Sequence, residues 1–233
     1  MKKKSLIMLV CTLMIITSVA LGTIAYMTDR AGVTNRFTVG NVNITVDETM
    51  VDENGNPVAG QRTEESNVYP LTPGATYVKD PTLTVKAGSE PSYVRMVVTV
   101  NCMAEIQQIA AQLQTLYPEK YPSTFGFTDL VTGWNGNVWN FVGMTENAVL
   151  NTYTLEFRYY TSVAPTATAD VVLPALFETI RIPAELNYAQ TQLLSTLTID
   201  INGHAIQTTG LNSAEEAWAA FDAQMSAGTV VQP

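Results

Sequence analysis

Four groups of residues in this chain are of types that do chemistry. The lone histidine, His204, sits in "IDINGHAIQ". A hydrolytic zinc site needs two or three nitrogen or carboxylate ligands around an open position. No His-Glu-x-x-His pattern accompanies His204, so it reads as a strand or strand-end side chain. Asp47, Glu48, Asp52, Glu53, Glu64 and Glu65 gather round a hairpin-like stretch and offer oxygens of the kind calcium takes. They miss the EF-hand spacing, because the loop glycine falls too early and no Glu stands at the last ligand position. A solvated acidic loop is the better reading.

Cys102 has no basic sequence neighbour to promote the thiolate that a nucleophile needs. Neither a Gly-x-Ser-x-Gly elbow nor a phosphate-binding glycine loop occurs. The fourth group is aromatic: Trp134, Trp139 and Phe141 lie in "TGWNGNVWNFVG". Aromatic rings beside Asn and Gly can stack on sugars, although core filling is the commoner use of Trp and Phe. Trp134 and Trp139 are therefore the candidate ligand contacts. No catalytic residue, metal ligand or cofactor is assigned, and the chain reads as a binding or structural protein, not an enzyme.

The elements that would position these residues are mostly strands. Residues 36–46 alternate as a strand whose phase slips at Gly40-Asn41, a place for a bulge or corner between two sheets. Asn54-Gly55 is a hairpin dipeptide, and Pro73-Gly74 suits the centre of a type II turn. Val94, Met96, Val98 and Val100 share one strand face, as do Tyr153, Leu155, Phe157 and Tyr159. Residues 77–86, 176–182 and 197–207 are further strands.

Two helices interrupt this pattern. Ile106, Ile109, Leu113 and Leu116 recur at helical spacing, with Asn101 the expected N-cap and Pro118 the stop. Ser213-Ala-Glu-Glu216 is a capping box ahead of Trp218, Phe221 and Met225. Residues 117–142 and 161–169, rich in Pro, Gly, Thr and Asn, read as excursions. The expected fold is all-β, an antiparallel β-sandwich with two short peripheral helices, the second over residues 213–227.

The segment from Met1 to Ala25 differs in kind. A basic start, Met1 to Lys4, leads into apolar residues 6–20 and then the small-residue context Thr23-Ile24-Ala25. That order is the layout of a secretory signal peptide, with an uncleaved membrane anchor as the alternative. The whole chain of 233 residues carries net charge -9 from 12 basic and 21 acidic residues. Loss of Lys2, Lys3 and Lys4 with the leader leaves 12 − 3 = 9 basic residues and a net charge of -12. Such a charge repels nucleic acid and anionic lipid and suits solubility outside the cell. Cys11 lies in the leader, so Cys102 stands alone in the mature chain and stability must come from the core.

Three blocks carry a resemblance to a known family. "GTIAYMTD…TNRFTVGNVNITV" looks like the leader junction and first strand of the TasA/camelysin family of Gram-positive bacteria, secreted proteins with a SipW-type signal peptide. "LTPGATYVKDPTLTVKAGSEPSYVRMVVTV" and "LTIDINGHAIQTTGLNSAEEAW" resemble the second block and the closing strand and helix of its clostridial members. Together the blocks cover roughly half the mature chain.

The resemblance implies a jelly-roll-like sandwich cut between Ala25 and Tyr26 by a SipW-type signal peptidase. It implies a structural subunit of extracellular biofilm-matrix fibres at the cell surface, with other matrix proteins or polysaccharide as further partners. Such fibres form by donor-strand exchange, which makes residues 26–40 the candidate arm, with Tyr26, Met27, Val33, Phe37 and Val39 as its strand residues, and residues 41–233 the resident sandwich. A secreted adhesin or carbohydrate-binding module is the alternative. Camelysin relatives have been described as metalloproteases, a reading that a single His and no zinc signature do not favour.

Overall fold

The computed structural model describes residues 28–31, 37–38 and 41–228. They form an all-β antiparallel sandwich. The larger sheet has six strands: β1 (Thr28–Ala31), β2 (Phe37–Thr38), β7 (Ser92–Val100), β9 (Trp139–Asn147), β10 (Thr152–Tyr159) and β13 (Ile199–Gln207). Their order across the sheet is β2-β1-β13-β7-β10-β9. The second sheet orders β11 (Val171–Val172), β6 (Thr82–Val85), β3 (Ile44–Val51) and β4 (Pro57–Thr63). A third, of short strands, sets β12 (Thr179–Arg181) between β5 (Thr76–Val78) and β8 (Val131–Thr132). All pairings are antiparallel.

Strand patterning explains the core. Val94, Met96, Val98 and Val100 on β7 and Leu155 on β10 have no exposed surface, and Leu83 and Val85 on β6 meet them from the other sheet. Each such aliphatic chain contributes about 1.5–3 kcal/mol by leaving water. Gly203 on β13 lies where the second sheet packs closely against it. A Cβ there would stand 2.7 Å from Val46 Cγ2 and 2.8 Å from Leu83 Cδ1. Phe37–Thr38 belongs to the first sheet and Ile44–Val51 to the second.

The turns follow their residue types. Gly55 and Gly74 both have positive φ, in the left-handed region that Gly enters without a Cβ penalty. Ala75 N–H donates to Thr72 O at 3.1 Å across Pro73-Gly74, closing that turn.

Four helices, not two, are present among the described residues. Helix α1 (Met103–Leu116) buries Ile106, Ile109, Ala110 and Leu113, as its spacing requires. Its cap differs from expectation. Asn101 instead bonds Thr196 O and Thr198 N–H, while the distant Asn151 accepts from Ala104 N–H at 2.8 Å. Asn151 manages this from a left-handed turn with positive φ, a conformation that Asn tolerates. Helices α2 (Phe127–Leu130) and α3 (Tyr188–Leu193) lie within stretches that lack helical periodicity. Asn187 and Gln190 form the capping box of α3.

Helix α4 (Ala214–Gly228) starts as its sequence signals. Ser213 Oγ accepts from Glu216 N–H at 3.2 Å. Glu216 accepts from Asn212 N–H at 3.0 Å, one residue before the N-cap, so its carboxylate still satisfies a donor at the helix start. Ala217, Trp218 and Phe221 bury one stripe of α4 on the outer face of the large sheet, against Ile206.

Candidate functional site

The edge of the large sheet holds the first candidate. β13 pairs with β7 along its full length, from Ile199↔Val100 to Gln207↔Ser92. On its other side β1 covers only the second half, from Thr28↔Ile206 to Ala31↔Gly203. Among the described residues, 199–202 have no strand partner on that side. The two sheets part at this end, and an open cleft of about 470 Å³ lies between them. Val46, Tyr69, Leu71, Ile180, Leu197 and Ile201 give it an apolar lining, with Glu64 and Glu65 exposed nearby. β2 completes the edge through Asp29↔Thr38 and Arg30↔Phe37. Phe37 is the only proposed donor-strand residue among the described residues, and it takes part through its backbone. Tyr26, Met27, Val33 and Val39 lie outside the described residues, as do Ala25 and the whole leader.

The acidic hairpin beside the cleft is not a simple solvated loop. Arg62 Nε donates to Asp47 at 2.6 Å and Arg62 Nη1 to Asp80 at 2.8 Å. Burial alone would raise the Asp80 pKa, but donation from Thr49 N–H, Arg62 and the Thr49 hydroxyl outweighs it and holds the carboxyl below its ordinary range. Asp52 turns back on its own hairpin and accepts from Asn54 and Asn56 N–H. Glu48 is buried and bonds to two side chains at once: Lys79 Nζ at 2.7 Å and Asn67 Nδ2 at 2.9 Å. Nothing in the local sequence links Glu48, Asn67 and Lys79; they come together from β3, the loop after β4 and the residue that follows β5.

The aromatic group divides. Trp139 is 2% exposed, and its Nε1 donates to Pro174 O at 2.9 Å. It packs in the core at the start of β9 and also lines the groove beside Trp134. Trp134 is half-buried, with its ring 4.9 Å from that of Phe157 and nearly parallel at 17°. Phe141 remains exposed. With Tyr160, Asn135 and Asn140 these residues line an open groove of about 430 Å³, and no charged side chain lines it. β9 runs through part of what reads as an excursion in sequence. It is a sheet edge that buries only its first residue, so the alternation that betrays a half-buried strand is missing.

His204 takes the structural role expected. Arg95 Nε donates to its Nδ1 at 3.1 Å, and its ring lies 4.9 Å from that of Phe221. Arg95 is the hub: Nη2 meets Asp222 at 2.7 Å, Nη1 meets Glu156 at 3.4 Å, and the guanidinium sits over Trp218 and Phe221 at 4.6 and 4.7 Å. The cluster fastens α4 to the sheet. Cys102 is buried at the start of α1, with Sγ 3.6 Å from Thr196 Oγ1. Among the described residues no three His, Cys, Asp or Glu side chains group to hold a metal ion, and no helix is long and apolar enough to cross a membrane.

Comparison of the chain with protein-family models, curated proteins and solved structures finds no match in any of the three.

Proposed function

We propose that this protein is a secreted structural subunit of extracellular fibres, polymerising head to tail through its N-terminal strand. One observation carries the reading: residues 28–31 occupy the edge of β13 by backbone pairing, beside an open apolar cleft. A slot filled through main-chain bonds accepts the same segment from another copy equally well. Exchange of that segment from subunit to subunit builds an open filament, because the contact does not close on itself. In an exchanged arm, carrying the antiparallel register beyond Ala31↔Gly203 would set position 33 across from Ile201, at the cleft. A cut after Ala25 would free this arm from the leader.

The resemblance to the TasA/camelysin family supports the same reading, with the jelly-roll-like sandwich as the resident body, a SipW-type peptidase as the processing partner and a Gram-positive cell surface or matrix as the location. The test is electron microscopy of the mature chain with and without residues 26–35. Filaments are expected from the first and none from the second; normal filaments without the arm would overturn the donor-strand role.

The uncharged groove at Trp134 and Phe141 favours a second reading, a carbohydrate-binding module. Uncharged aromatic walls with adjacent Asn amides suit a neutral sugar ring.

A further inference from the structure

The geometry points to Lys79, Asn67 and Glu48 as a self-joining site, in which the lysine amine and the asparagine carboxamide condense to an intramolecular amide bond. The three side chains come from β3 (Glu48), the loop after β4 (Asn67) and the residue just after β5 (Lys79). Both reactants are held by the two oxygens of a single carboxylate: Lys79 Nζ donates to Glu48 Oε2 at 2.7 Å, and Asn67 Nδ2 donates to Glu48 Oε1 at 2.9 Å. Lys79 and Glu48 are 7% and 8% exposed. A buried lysine is uncommon, and here its ammonium also lies 5.7 Å from the centre of the Tyr69 ring.

The carboxamide is held at both ends. Asn67 Oδ1 accepts from Val51 N–H at 3.0 Å, a fixed donor where negative charge would develop on the carbonyl oxygen. Asn67 Nδ2, the nitrogen that would leave, donates to Glu48 and to Thr49 O at 2.8 Å, and lies 3.3 Å from Tyr69 Oη. Tyr69 Oη itself donates to Val78 O at 3.0 Å. Burial, first, and the Glu48 charge, second, push the Tyr69 phenol well above its ordinary range, so it stays protonated and holds its place.

The step balances without any outside reagent. Lys79 Nζ passes a proton to Glu48 Oε2, and the freed amine attacks Asn67 Cγ. The new C–N bond places charge on Oδ1, against the Val51 N–H. Glu48 returns the proton to Nδ2, the Cγ–Nδ2 bond breaks, and ammonia leaves. Ammonia takes up the second proton lost from Nζ and departs as ammonium, while Glu48 ends as it began. The product is a Lys79–Asn67 amide, with no change of oxidation state. The adjoining cleft, which Glu48, Asn67 and Lys79 all line, is the exit for ammonia. The bond would pin the 67–79 segment covalently at the mouth of that cleft. This assignment rests on the three side chains and not on the fibre reading.

The test is mass spectrometry of the full chain. Trypsin cuts after Arg62 and after a free lysine at 79, but not after an amidated one. The expected product is a peptide spanning 63–86, uncut at Lys79 and lighter than its sequence by one ammonia. Asn54-Gly55 can also lose ammonia through a cyclic imide, but it lies outside that peptide. Lys79→Arg and Glu48→Gln should each restore the sequence mass of the 67-containing peptide. Recovery of a linear 63–79 peptide at its sequence mass from the unaltered chain would overturn the assignment. That measurement needs no variant to fold.

Discussion

Arg95→Ala is expected to lower stability by about 3 kcal/mol or more, since hydrogen bonds to charged groups contribute roughly 1.5–3 kcal/mol each and a buried chain of this size leaves a void. Arg95 is the central cation of the outer sheet face and is 5% exposed. It joins β7 to β13 through His204, to β10 through Glu156 and to α4 through Asp222. The Asp222 carboxylate is half in water, so screening makes that contact the weaker one. Most of the loss comes from the buried end, where the guanidinium fills the space beneath Trp218 and Phe221. Chemical denaturation followed by Trp fluorescence measures the change. Arg95→Lys should recover little, because an ammonium cannot stack flat on both rings while bonding three partners. A loss under about 0.5 kcal/mol, the ordinary range of surface substitutions, would contradict the clamp.

Gly203→Val is expected to cost at least about 1–3 kcal/mol, the usual penalty of overpacking a filled core. The first carbon added meets Val46 Cγ2 and Leu83 Cδ1 inside contact distance, with Ile44 Cδ1 at 3.4 Å. Leu83 and Ile44 are almost wholly buried and have no free direction in which to retreat. Relief requires the sheets to part, which would also disturb Ala31, the register partner of Gly203. The substitution should therefore lower the melting temperature and loosen the arm together. An unchanged melting temperature would mean that β13 does not pack this closely on β3 and β6.

Much of this architecture was legible from local signals. Helix α1 spans the periodic stretch ended by Pro118, and α4 begins at its capping box. β7 and β10 bury the alternating faces their residues announce. The chain changes sheet between Phe37–Thr38 and Ile44–Val51. What was hidden depends on distant partners. The cap of α1 comes from Asn151, which no window around Asn101 contains. β9 shows little alternation because it is an exposed edge, so Trp139 looked available when it is the one residue of that strand that is buried. The site at Glu48, Asn67 and Lys79 was the least legible. A lysine in the Tyr77–Val85 region reads as surface charge until the packing places it in the core.

The same distinction separates the two edges of the large sheet. β9 presents Phe141, Val142 and Met144 to solvent, with a register shift opposite Glu156/Phe157 that interrupts regular pairing. Such irregularity discourages strand addition. At the other end of the sheet β1 pairs with β13 over 203–206 residue for residue, with no such defect, and β2 follows it. Directional growth follows if one edge accepts a strand and the other refuses it.

The passage of the arm between subunits is most directly tested by mixing two variants before assembly, Asp29→Cys in one chain and Ala205→Cys in the other, followed by mild oxidation. These positions face one another in the register, and opposed strand residues lie within the Cα separation that a disulfide needs. A disulfide-linked dimer of the two variants on a non-reducing gel is the expected result if the arm of one copy lies on the β13 of another. Filaments that form from the mixture with no such dimer, while the double variant closes only within its own chain, would show that each arm stays home and would contradict strand exchange.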